Sequence, residues 1–116
     1  MLIRKKKIKL HNKQYVLNVR NYNNRSMCLE LKNKNEVIEV TLNMKDAIVG
    51  GDLVIINPEI ADEVIRTFKK KRIIRRVVST IDYNNKFAPI VKMNMSILKS
   101  YDFVGVNKYQ DIMEVK

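Results

Sequence analysis

The sequence predicts an α+β domain: a mainly antiparallel sheet of about six or seven strands, one main helix over about residues 57–68 and a short one over about 94–101. Three observations predict it. Apolar residues alternate with polar ones in short runs through the first half of the chain. Asn-rich turn signals recur between those runs at short, regular spacing, as hairpins require. One strong helix start, Asn57-Pro58-Glu59, stands in the middle of the chain.

The elements follow in order. Ile8 and Leu10 alternate with Lys7 and Lys9, and His11-Asn12-Lys13 turns the chain. Tyr15, Leu17 and Val19 form the next alternating set, closed by a turn at Asn23-Asn24-Arg25. Met27, Leu29 and Leu31 form the third, and Ile38, Val40 and Leu42 the fourth, with Asn33-Lys34-Asn35 between them. Gly50-Gly51-Asp52 reads as a turn before the apolar run Leu53–Ile56, which is short enough for a buried strand. Asn57 then suits a cap, Pro58 the first helical position, and Glu59 the positive end of the helix dipole. Ile60, Ala61, Val64, Ile65 and Phe68 share one helical face. Residues 73–81 carry a second helical stripe (Ile73, Ile74, Val77, Val78, Ile81), but it lies nearly opposite the first. A break at Lys69–Arg72 resolves this, and the β-branched content favours a strand over a helix. Asn84-Asn85-Lys86 turns into a last strand, Phe87–Met93, in which Pro89 implies an edge position or a bulge. Asn94 caps the short helix, and the pattern after Asp102 is weak.

The 116 residues make one domain, with the basic N-terminal segment 1–9 expected as a flexible arm. A single cysteine, Cys28, excludes an intramolecular disulfide and fits a reducing cytoplasm. No run approaches the length of a signal peptide core or a bilayer span. One His and one Cys cannot assemble a zinc site, Asp62 and Glu63 diverge on a helix, and Gly50-Gly51 lacks the spacing of a phosphate loop. Cys28 and His11 have no sequence logic that brings them together. The expectation is a protein that is not an enzyme and requires no cofactor or metal.

Charge is the informative property. The net charge is +11, and two acid-free runs hold all of the excess. The first contains Arg4, Lys5, Lys6, Lys7, Lys9 and Lys13; the second contains Arg66, Lys69, Lys70, Lys71, Arg72, Arg75 and Arg76. Concentrated cations attract polyanions and release their counterions. The expected partner is nucleic acid or a nucleoprotein, with an acidic protein surface as the alternative. Lys5, Lys6, Lys7, Lys69, Lys70, Lys71, Arg72, Arg75 and Arg76 are the expected contacts, gathered on one continuous surface. Solubility is the structural role such runs more often have. Tyr15, Tyr22 and Tyr83 are candidates to stack on bases, with core filling as their structural alternative.

The stretches YVLNVRNYNNRSMCLEL (15–31), EVIEVTLNM (36–44) and DLVIINPE (52–59) resemble a family of small uncharacterised proteins carried on phages and mobile elements of low-GC bacteria. The shared features are a strand pair, then Thr41-Leu42-Asn43, then a strand ending at Ile56-Asn57 before a helix, within residues 15–101. The resemblance implies a mobile-element setting, where small accessory proteins bind nucleic acid or inhibit host defence in the manner of anti-CRISPR or anti-restriction proteins. It carries over no functional residue.

Overall fold

A computed structural model describes residues 6–44 and 50–114. Among these the fold is α+β, with seven strands in two antiparallel sheets and three helices. The first sheet is a meander of β1 (Lys7–Leu10), β2 (Lys13–Asn21), β3 (Met27–Lys32) and β4 (Val37–Glu39), in the order β1-β2-β3-β4. Its register pairs Ile8 with Tyr15 and Leu17 with Leu31. These four residues are buried on one face, as their alternation predicts. His11 and Asn12 both take positive φ, 52° and 62°, which makes the β1–β2 turn the mirror-image type that matches strand twist. Lys7, Ile8 and Lys9 therefore belong to a strand with a buried inner face, which corrects the expectation of a flexible arm over them. Residues 1–5, Lys5 included, lie outside the described residues.

The second sheet contains β5 (Leu53–Ile55), β6 (Ile74–Tyr83) and β7 (Lys86–Met93), in the order β5-β7-β6. Val40–Leu42 joins the two sheets. Val40 N–H donates to the Leu29 carbonyl, while Leu42 N–H donates to Ile55 and Asn57 N–H to Val40, each at 2.9 Å. Thr41 is fully buried at this seam, where its hydroxyl accepts from Leu29 N–H at 3.1 Å and meets the Tyr22 hydroxyl at 2.9 Å.

Residues 74–83 are a strand, and its geometry explains the helix-like pattern. β6 carries irregularities between Ile74 and Arg76 and between Val77 and Ser79. Each inserts one residue and flips the side-chain phase. Ile74, Val77 and Thr80 thus share one face at a spacing of three, opposite Met93, Val91 and Pro89. Pro89 lies in β7, which is the central strand, so the edge expectation is corrected; the bulges are in its partner. The Pro89 carbonyl accepts from Ile56 N–H at 2.8 Å, so the side lacking a donor faces the end of β5 and the ladder to β6 is spared.

The main helix, α1, runs Ala61–Lys70, three residues later than its sequence signals place its start. Asn57 caps a preceding turn instead: its side chain accepts from Glu59 N–H at 3.0 Å and its carbonyl from Ile60 N–H at 3.2 Å. Val64 and Phe68 are fully buried with Ile8, Leu17, Leu29, Val91 and Met93 in one core. Helix α2, Met95–Tyr101, has the expected Asn94 cap, which accepts from Ile97 N–H at 3.3 Å. The weakly patterned tail forms a further helix, α3, Phe103–Glu114, packed on β2 through Val106 and Tyr109. Asp102 makes this docking specific. One carboxylate oxygen caps α3 at Gly105 N–H, 3.1 Å, and the other accepts from Val19 N–H, 2.8 Å, where β2 runs on past its pairing with β1.

Candidate nucleic-acid interface

The second basic run is built by the end of one element and the start of the next. α1 stops in a left-handed turn: Arg72 has φ 63°, its N–H donates to the Lys69 carbonyl at 3.0 Å, and Ile73 N–H donates to Phe68 at 2.8 Å. This is the Schellman pattern, sealed by contact between the buried Phe68 and Ile73. Its left-handed position normally takes glycine; here it holds Arg72, with the side chain exposed. Lys69, Lys70 and Lys71 precede it, also exposed, and after Ile73 and Ile74 come Arg75 and Arg76, the second and third residues of β6. β6 is an edge strand, and residues 75–80 are exposed on both of its faces. Arg76 stands opposite Lys92 on the neighbouring strand, where Asp52 balances the Lys92 ammonium.

The electrostatics set this cluster apart. Several cations elsewhere are matched with acids: Lys13 with Glu36 at 3.1 Å, Arg20 with Glu30 at 3.7 Å, Lys92 with Asp52 at 3.5 Å, and Lys86 with Glu59; the His11 imidazole lies 2.6 Å from the Glu63 carboxylate. Among the described residues, Lys69, Lys70, Lys71, Arg72, Arg75 and Arg76 form no ion pair.

The first run is divided rather than gathered. Lys6 turns onto α2, with its ammonium 3.3 Å from the Ser100 hydroxyl and 5.4 Å from the centre of the Tyr101 ring. Lys7 and Lys9 project from the outer face of the four-stranded sheet, away from the core that Ile8 and Leu10 share with α1. Asn94, the cap of α2, donates its N–H to the Ile73 carbonyl at 2.8 Å, so the second run meets the start of α2 while Lys6 sits near its end, about 10 Å of helix away. The second run is contiguous across the α1–β6 junction, and Lys7 stands on the outer face of the four-stranded sheet.

The aromatic candidates divide too. Tyr15 is buried and donates to Glu36 at 3.0 Å, and Tyr22 is held at Thr41, so both are structural. Tyr83 stays half-buried near the β6–β7 turn. Cys28 is buried and burial pushes its thiol up, which keeps it protonated and unreactive at neutral pH. Among the described residues no group of three or more His, Cys, Asp or Glu side chains could hold a metal ion, and no helix is long and apolar enough to cross a membrane.

Sequence reasoning passed over Lys32 and Lys34. Strand register places Lys7 beside Val16 and Val16 beside Lys32 on the outer face of the sheet, and Lys34 lines the same cleft from the β3–β4 turn. Compared with protein-family models, curated proteins and solved structures, the chain finds no significant match.

Proposed function

We propose that this is a non-catalytic cytoplasmic binding protein that engages nucleic acid, alone or within a nucleoprotein complex, through the cluster Lys69, Lys70, Lys71, Arg72, Arg75 and Arg76. The observation that carries the reading is the density of exposed cations there: six basic residues within positions 69–76, with no acid in the run and no ion pair among the described residues. Unpaired cations held close together repel one another, and a polyphosphate backbone relieves that repulsion while shedding its own counterions. Arg72 strengthens the reading. It occupies a backbone position that glycine fills at lower cost, and it projects a guanidinium from there into solvent. Lys6, at Ser100 and Tyr101, would extend the surface along α2. The resemblance to mobile-element proteins supplies a setting in which such binding is common.

A second reading is a protein inhibitor of a host defence system. The outer edge of β6 favours it, because among the described residues no strand pairs with that edge and it could accept a strand from a partner protein. Fluorescence anisotropy with mixed-sequence oligonucleotides separates the two. The nucleic-acid reading expects the variant Lys69→Gln/Lys70→Gln/Lys71→Gln/Arg72→Gln to lose affinity alike for every sequence. Parent-like binding by that variant would remove the nucleic-acid reading and leave the inhibitor reading in front.

A further inference from the structure

We infer that the outer face of the first sheet carries a second anion site, separate from the α1–β6 cluster, that takes a phosphate group. A cleft of about 390 Å³ opens between β1, β2 and the β3–β4 turn. Lys7, Lys32 and Lys34 line it, and Val16 forms part of its floor. Lys7 and Lys32 flank Val16 on neighbouring strands, which sets their backbones about 10 Å apart across the sheet. Two lysine side chains at that separation can close on one tetrahedral anion.

The polar groups around these lysines favour an anion as well. Gln14, Tyr15, Asn33 and Asn35 complete the lining, and no carboxylate belongs to it. The Asn33 side-chain oxygen is occupied: it accepts from Asn35 N–H at 2.8 Å and Glu36 N–H at 3.0 Å. Its amide N–H₂ remains as a donor. The acid of the same turn, Glu36, is engaged by the Lys13 ammonium at 3.1 Å and the Tyr15 hydroxyl at 3.0 Å. Lys7, Lys32 and Lys34 form no ion pair among the described residues. Converging ammonium and amide donors with no carboxylate among them suit phosphate oxygens, which accept hydrogen bonds and carry the compensating charge. The site stands whether or not the α1–β6 cluster binds nucleic acid.

The test is an amide NMR titration with inorganic tripolyphosphate. Saturable shifts are expected at Gln14, Val16 and Lys32–Asn35. The variant Lys32→Gln/Lys34→Gln should weaken binding about tenfold, in line with losing two charge-assisted contacts. The Gln variant of Lys69–Arg72 should bind tripolyphosphate in the cleft as the parent does. A trinucleotide without terminal phosphates separates the two sources of the group: binding at the same amides assigns the cleft to a nucleic-acid backbone, and its failure beside bound tripolyphosphate assigns it to a free phosphate. Shifts absent from these amides, or undiminished in Lys32→Gln/Lys34→Gln, would overturn the inference.

Discussion

Arg72→Gly should make the protein more stable and a weaker binder. Arg72 sits at φ 63°, where a side chain costs about 1–2 kcal/mol that glycine does not incur. Glycine gives back about 0.5–1 kcal/mol through its freer unfolded chain. The difference leaves a gain of roughly 0.5–1 kcal/mol, because the two Schellman hydrogen bonds use only backbone atoms and survive the change. Thermal unfolding should shift upward by about 2–5 °C. If Arg72 contacts a phosphate, the salt dependence of oligonucleotide binding should flatten by about 0.9 in log–log slope. Arg72→Ala is the control. It removes the same cation but keeps the left-handed cost, so it should weaken binding without the full gain in stability. Equal stabilisation by Gly and Ala would refute the backbone argument and assign the effect to relief of charge repulsion. Loss of stability in Arg72→Gly would refute both.

Three further outcomes test the fold around the site. Thr41→Val keeps the side-chain shape but leaves Leu29 N–H without its partner at the seam, while the Tyr22 hydroxyl keeps the Thr41 carbonyl at 3.2 Å; the change should cost about 1–3 kcal/mol in denaturant unfolding. Gly105→Ala should destabilise despite the better helix propensity of alanine, because the added carbon would lie 2.5 Å from the Val19 carbonyl oxygen and force α3 away from β2; the loss of the Val19–Asp102 hydrogen bond should appear as faster amide exchange at Val19. The Lys13 ammonium, and next the Tyr15 hydroxyl, hold the Glu36 carboxyl below its usual range, so its contribution to stability is present above the unfolded carboxylate value and is lost as pH falls through the lower folded value; carbon NMR should find Glu36 titrating below ordinary glutamates, and Glu36→Gln should remove that part of the acid limb.

The fold was legible wherever local chemistry decides it. His11-Asn12 and Asn84-Asn85 take positive φ in two-residue hairpin turns, and both stand at turns read from the sequence. Asn94 caps α2 as its position implies. The misreadings have physical causes. The α1 start moved because Asn57 and Pro58 serve a turn that hands over to the helix at Ala61. α3 was missed because it buries Val106 and Tyr109 while Phe103 and Val104 stay exposed, so it shows little amphipathic contrast; its anchor is Asp102, a contact across the fold with Val19. β6 imitated a helix because two bulges space Ile74, Val77 and Thr80 by three. For the candidate site, the cluster 69–76 could be read because its cations are contiguous and acid-free. Lys32 and Lys34 could not, because Glu30 and Glu36 flank them in sequence, and only cross-strand register and the Lys13–Glu36 contact reveal where the charges lie.

The salt dependence of oligonucleotide binding tests the central claim most directly. With Lys69, Lys70, Lys71, Arg72, Arg75 and Arg76 each meeting a phosphate of duplex DNA, the logarithm of the association constant should fall against the logarithm of salt concentration with a slope of about −5, and the Gln variant at 69–72 should retain a slope of about −2. A parent slope near zero, or the same slope for parent and variant, would contradict the claim that this cluster is a nucleic-acid interface.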